Sequence, residues 1–311
     1  MNLVIQSYLF VFIGFLFASS GAAHAADAPY VPTPWNVVEA MFKLGNVGSS
    51  DYLIDLGSGD GRIVISAAKK FGLRGFGVEL DDNLVRTARS EAERQGVKDR
   101  VAFEVEDLFF IDISKASVIT VYMSESVNLR LRPSLFKLKP GTRVVSHDFD
   151  MGNWQPDAKL TVSVPGKQYG PPHSDVLLWV IPADFSGTWS WRSPVNGVEA
   201  VHEAALTQKF QTLEGRGSIA SQQAVIGGPK ILGDVISFVM GSEVAGKATW
   251  REFQGRISGD TISGTAVIIA DADKVIVEGT PVPWRAIRLA RGKIDIEAGA
   301  QAFRSGFSTK E

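Results

Sequence analysis

The chain has 311 residues, enough for two domains of ordinary size. Its 45% hydrophobic and 21% charged content is that of a globular protein, and a formal net charge of −2 gives no electrostatic case for nucleic-acid binding. Cysteine is absent, which excludes disulfides, thiolate catalysis and Cys-based zinc sites and fits an oxidising compartment.

The first 26 residues carry no charged side chain. The apolar run 8–18 has the length of a signal h-region and is too short to span a bilayer. Ala23-His24-Ala25 follows as an A-x-A cleavage site, although no Lys or Arg precedes the run. Residues 1–25 are therefore expected to be a signal peptide, making the mature protein periplasmic or secreted. A membrane anchor that associates the protein with the bilayer is the alternative.

Residues 29–34 are extended, because each residue before a proline is biased away from helix. Residues 35–44 place Val37, Val38, Met41 and Phe42 at helical spacing, with Thr33 as the expected cap and Pro34 at the first position. This segment before the first strand is expected to cover the mouth of a ligand site, with a helix that only packs as the alternative.

Tyr52-Leu53-Ile54-Asp55-Leu56 ends a buried strand, and Gly57-Ser58-Gly59-Asp60-Gly61 turns into a helix. Alternate glycines permit a tight turn and close backbone approach to a ligand. The helix end beyond them suits an anionic group. A dinucleotide site has G-x-G-x-x-G; here the spacing is G-x-G-x-G, and Asp55 would repel a pyrophosphate. A carboxylate at that point suits a ligand that also carries positive charge, as S-adenosyl-L-methionine does at its sulfonium and ammonium groups. The stretch resembles motif I of the class I methyltransferases.

A second strand over 75–81 ends in acid, and its Glu79 lies near the ~20-residue offset at which such folds place a ribose-binding carboxylate. A helix is expected over 82–96 and a third strand over 101–107. Its Asp107 resembles the family's acid that contacts the adenine amino group. The resemblance thus implies a cofactor site of Asp55, Gly57, Ser58, Gly59, Gly61, Glu79 and Asp107. A fourth strand over 118–123 leads into a helix through Leu138, a fifth covers 143–149, and 160–164 with 176–181 read as a closing antiparallel pair. Strands alternating with helices argue for a parallel, Rossmann-like α/β sheet over 27–183, with ligands beyond the strands' carboxyl ends.

From 184 to 291 the texture changes to repeated short strand-like runs at 206–213, 235–240, 249–257, 261–269 and 284–289, with Ser258-Gly259-Asp260 as a hairpin turn. A smaller all-β barrel or sandwich is expected there, with Trp189 and Trp191 in its core. Residues 292–311 read as a polar, frayed tail.

Between Pro29 and Asp157 the chain is similar to the family of ATP synthase c-subunit lysine N-methyltransferases. The shared features are Tyr30-Val31-Pro32, the motif from Asp55 to Gly61, and an aromatic followed by Trp-x-Pro, here Phe149 and Trp154-Gln155-Pro156. The resemblance implies methyl transfer from S-adenosyl-L-methionine, most readily to a protein lysine, with a small-molecule acceptor as the alternative. A second class stays open, an exported ligand-binding protein whose first domain is a relic. Methyl transfer needs no enzyme nucleophile, only alignment and desolvation of an unprotonated acceptor. The catalytic candidates are Tyr122, Glu125 and Asn128 at the fourth strand's exit, with His147 and Asp148 at the fifth. His147, His173 and His202 lie too far apart to suggest metal ligation, so no metal site is expected.

Overall fold

The structure, a computed structural model, describes residues 30–195, 198–244, 247–269 and 281–296. The signal peptide read over 1–25 lies outside the described residues, as does the tail from 297.

The first sheet is built from β1 (Tyr52–Leu56), β2 (Arg74–Glu79), β3 (Val101–Val105), β4 (Val118–Val121), β5 (Arg143–His147), β6 (Ala158–Ser163) and β7 (His173–Val180). Their order is β3-β2-β1-β4-β5-β7-β6. The first five strands are parallel, and β7 runs antiparallel to both β5 and β6. The order reverses between β1 and β4, which opens a crevice at their carboxyl ends. Both strands are buried on both faces, as their apolar runs require.

The connecting helices are α1 (Trp35–Leu44), α2 (Arg62–Phe71), α3 (Asp82–Arg94) and α4 (Glu125–Leu135). The apolar stripe of α1 is buried against β5, β6 and β7, so this helix packs on the sheet and does not cover the crevice. Thr33 does not cap it. Pro34 holds the cap position with no side-chain bond, and the Thr33 hydroxyl lies 3.2 Å from Nδ1 of His147 instead. A buried hydroxyl has to find a partner, and the imidazole offers one that the helix end does not replace.

The second sheet comprises β8 (Gly187–Val195), β9 (Val198–Lys209), β10 (Thr212–Ile219), β11 (Gln222–Leu232), β12 (Val235–Val244), β13 (Lys247–Ser258), β14 (Thr261–Ile269) and β15 (Val282–Arg291). Each strand pairs antiparallel with the next, and β15 returns to pair with β8. The sheet is a closed eight-stranded barrel. Trp191, Phe238, Phe253 and Trp284 fill it, with ring centroids 5.0 to 6.1 Å apart.

Two expectations change here. The run 206–213 is not one strand: it contains the turn between β9 and β10, where Phe210 has φ +51°. Residues 292–296 are not wholly frayed, because β16 (Ile294–Asp295) pairs parallel with Gln208 and Lys209 of β9.

Phe210 also joins the two sheets. Its ring stacks on Trp154 at 5.9 Å and 14°, lies 5.9 Å from Phe136, and has the Arg132 guanidinium over it at 4.8 Å. Around this wedge Trp154 Nε1 donates to Gln211 Oε1 at 2.8 Å, and Ala183 N donates to Gly233 O at 2.8 Å.

Candidate functional site

A cavity of about 350 Å³ opens at the crevice between β1 and β4. Its floor is the glycine turn. Gly57, Gly59 and Gly61 have φ of +81°, +52° and +77°, which only glycine adopts at little cost. A Cβ at Gly59 would sit 2.4 Å from the Tyr30 ring, and one at Gly61 2.7 Å from Phe103. The turn is anchored by Gly57 and Ser58, whose N–H groups donate to Val78 O at 3.0 and 2.8 Å.

Glu79 helps to hold this turn. Its Oε2 accepts from Gly59 N at 2.9 Å, while Oε1 accepts from Leu80 N at 2.8 Å and Asp81 N at 3.2 Å. The carboxylate forms part of the cavity wall and is also a strut of the loop, a role that spacing alone did not suggest.

Asp55 is 3% exposed and accepts from Thr120 Oγ1 at 2.7 Å. Burial pushes its carboxyl up to about 7; the Thr120 bond opposes the rise, and the charges of Glu79 and Asp60 add to it. Ser58 lines the cavity with a buried hydroxyl that has no partner.

Asp107 does not line the cavity. Its Oδ1 accepts from Phe109 N at 3.0 Å, fixing the turn after β3, and Glu106 and Leu108 form that part of the wall.

Among the catalytic candidates, Tyr122 lines the cavity together with Met123. Its ring stacks on His147 at 3.8 Å and 29°. Glu125 is exposed on the first turn of α4, outside the cavity wall. Asn128 is fully buried. Its Nδ2 donates to Phe149 O at 3.2 Å and Asp150 O at 3.1 Å, which makes it a strut for the exit of β5 rather than a group that meets an acceptor.

His147 is 1% exposed and lies 2.9 Å from Ser174 Oγ. Burial pulls its pKa down to about 4, against the pull of Asp148 and with the push of Lys167, so it is uncharged at neutral pH. Asp148 has φ +63°; its Oδ2 accepts from Lys167 Nζ at 2.7 Å and its Oδ1 from Asp175 N at 3.0 Å. Neither residue lines the cavity; His147 lies behind Tyr122, stacked on its ring.

Of the segment before the first strand, the extended residues 30–33 and not the helix line the cavity. Arg62 ties them down: Nη1 donates to Thr33 O at 3.0 Å, and Nε and Nη2 reach Asp60 at 2.9 and 2.7 Å. The sequence signal was the proline-flanked lead-in, whose stiffness lets it lie across the turn.

The family model and the sequence relatives that match this chain are methyltransferases. The family model of the ANTKMT methyltransferase domain matches residues 55–158. A protein-lysine N-methyltransferase of Saccharolobus islandicus is 43% identical over 142 residues, which is 45% of this chain and 88% of that protein. The human lysine N-methyltransferase of the ATP synthase c-subunit is 35% identical over 130 residues, 42% of this chain and 55% of its own length. A crystal structure of an RNA methyltransferase from Salinibacter ruber with S-adenosyl-L-homocysteine is 52% identical and covers 50% of this chain and 96% of that one, with a TM-score of 0.45. Each match leaves half of this chain or more uncovered.

The cavity fits S-adenosylmethionine on its own terms. Bare glycine backbone leaves room that side chains would fill, the Ser58 hydroxyl lacks a partner, and the carboxyls of Asp55, Glu79 and Glu106 suit a ligand bearing two positive groups. The chain belongs to the S-adenosylmethionine-dependent methyltransferases, in the family of the ANTKMT methyltransferase domain.

Proposed function

We propose that the protein is an exported protein-lysine N-methyltransferase acting on proteins of the cell envelope. The observation that carries the lysine assignment is the 43% identity to a protein-lysine N-methyltransferase across 88% of that enzyme's length. The apolar run and A-x-A site at the amino terminus support export, and an uncleaved anchor is the alternative.

When bound, S-adenosylmethionine supplies an electrophilic methyl group on a sulfonium. The chain's own work is to position and desolvate. Glu79 and the glycine turn hold the cofactor side of the cavity, and Tyr122 and Met123 wall the side open to an acceptor. An amine must arrive unprotonated. Removing the proton from a lysine of pKa ~10.4 at pH 7 costs roughly 4.6 kcal/mol. A nearby sulfonium lowers that cost by disfavouring the ammonium form. His147, uncharged behind Tyr122, adds no charge of its own. The exposed Glu125 at the start of α4 is a docking group for the incoming cationic lysine.

Labelled-methyl transfer from S-adenosylmethionine into a cell-envelope extract, with mass-spectrometric identification of the product, tests this reading. Label on lysine side chains of a protein is expected. Label confined to a small molecule or to RNA would overturn the lysine assignment. Amino-terminal sequencing of the native protein should begin near Ala26 or Asp27; an intact Met1 in the membrane fraction would establish the anchor instead.

A further inference from the structure

The two ends of the barrel are unlike. The end facing the first sheet carries the turn at Phe210 and Gln211 and the turn at Gly233 and Asp234. The opposite end is where β8, β10, β12 and β14 finish. There the inward rows become polar. Ser193 follows Trp191 on β8, and His202 faces Trp191 across the β8–β9 ladder. Arg251 faces Met240 across β12 and β13, with Ser242 one inward step beyond Met240.

Arg251 is 7% exposed. A buried guanidinium ordinarily sits beside a carboxylate, because a lone buried charge is strongly unfavourable. No carboxylate among the described residues pairs with Arg251. Its Nη1 donates to Ser193 Oγ at 3.1 Å and its Nη2 to Pro194 O, both uncharged, and its Nε–H has no acceptor. These bonds cross the barrel from β13 to β8. Two more buried donors at the same end have no partner among the described residues, the Trp191 indole N–H and the Ser242 hydroxyl. His202, 1% exposed and stacked on Trp191 at 5.3 Å, adds no charge, since burial draws its pKa down to about 4 despite a bond to Ala200 O. Buried donors without partners are uncommon and call for an acceptor.

Among the described residues the rim above this group is apolar. The inward row of β9 ends at Val198, 70% exposed, and that of β14 at Ile268, 47% exposed. Ile268 is the ladder partner of Arg251. Below, Trp191, Phe238, Phe253 and Trp284 close the lumen, so an occupant rests at the mouth.

We propose that this mouth is a binding site for a monocarboxylate with an apolar body. The carboxylate sits on Arg251 among the unpartnered donors, and the body lies on Val198 and Ile268. One guanidinium neutralises one negative charge, and its fork matches a planar carboxylate. A doubly charged phosphate would leave a net charge beside aromatic rings.

Calorimetric titration of the full chain with octanoate, octanol and inorganic phosphate tests the site. Octanoate should bind at least tenfold more tightly than either control. Arg251→Gln should weaken octanoate at least tenfold and leave S-adenosylmethionine affinity unchanged, since the methyltransferase cavity lies beyond the opposite end of the barrel. Absent octanoate binding at millimolar concentration, equal binding of octanol, or undiminished binding by the variant would overturn the proposal. If Arg251→Gln does not fold, Trp191→Phe and Ser242→Ala together carry the test. Each removes one donor and keeps the fill, so an octanoate loss of threefold or more in the pair supports the site and full retention overturns it.

Discussion

Replacing Asp55 by Asn should make the ligand-free protein more stable while weakening its grip on the cofactor. Asp55 is buried, and among the described residues its carboxyl has one hydrogen bond, from the Thr120 hydroxyl, which an amide oxygen can accept as well. Its pKa stands at about 7 in the fold against 3.8 without it. A carboxyl with a raised pKa prefers to stay protonated in the native state. Below about pH 4 both states hold the proton and nothing is lost. Between pH 4 and 7 the native state loses about 1.4 kcal/mol per pH unit, and above pH 7 the loss is complete at about 4 kcal/mol. Asp55→Asn should therefore raise the melting temperature at pH 8 by on the order of 10 °C, with the difference closing as the pH falls toward 4. Affinity should move the opposite way. The variant should bind S-adenosylmethionine about 10- to 100-fold more weakly at pH 8, or about 1.4–2.8 kcal/mol. Wild-type affinity should itself fall as pH drops below 7 and the carboxyl takes up its proton. Scanning calorimetry at pH 4.5, 6 and 8 with titrations at the same pH values measures both. A variant less stable than wild type at pH 8 would show that the Asp55 charge is already compensated in the empty fold, and would refute the reasoning.

Three further outcomes follow from named contacts. Gly59→Ala places a Cβ against the Tyr30 ring in a left-handed backbone, so cofactor affinity should fall at least ~10-fold, about 1.4 kcal/mol, with the melting temperature reporting any loss of fold. Glu125→Gln should raise KM for a protein acceptor and leave kcat and cofactor affinity within about twofold, because the side chain stands outside the cavity; a fall in kcat at unchanged KM would place it at the reaction instead. Phe210→Ala empties the wedge between Trp154 and Phe136 and should destabilise the chain by about 3–5 kcal/mol in urea unfolding; a change under 1 kcal/mol would mean the two sheets do not depend on this contact.

The cofactor half of the site was legible because its signals are local. A glycine turn between an apolar strand and a helix, with Asp55 on that strand and Glu79 at the end of the next, can be read within thirty residues. What escaped reading depends on distant partners. Phe210 continues the strand-like run of 206–213 through a turn because its ring answers to Trp154 rather than to its own strand. Thr33 looks like a cap, yet its hydroxyl serves His147 far along the chain. Asn128 has the position of a catalytic group and the bonds of a strut, and nothing in residues 124–128 distinguishes the two. In β11, Gly227-Gly228-Pro229 carries a chain-breaker signature but forms a register shift inside a strand, where an irregular ladder tolerates a residue without an N–H.

Closure of the barrel sets a condition on how the carboxyl-terminal half can be made at all. Every other ladder among its eight strands joins consecutive strands and can form as each hairpin leaves the ribosome, but β15 must find β8, the strand where the module began. That contact has the longest sequence separation and the slowest search. Until it forms, β8 and β15 each present a free edge able to recruit another chain. A polypeptide ending before Val282 would therefore lose more than one strand. It would be left as an open, twisted sheet with its tryptophans uncovered, prone to pair with its own copies, so the module can be gained or lost only whole.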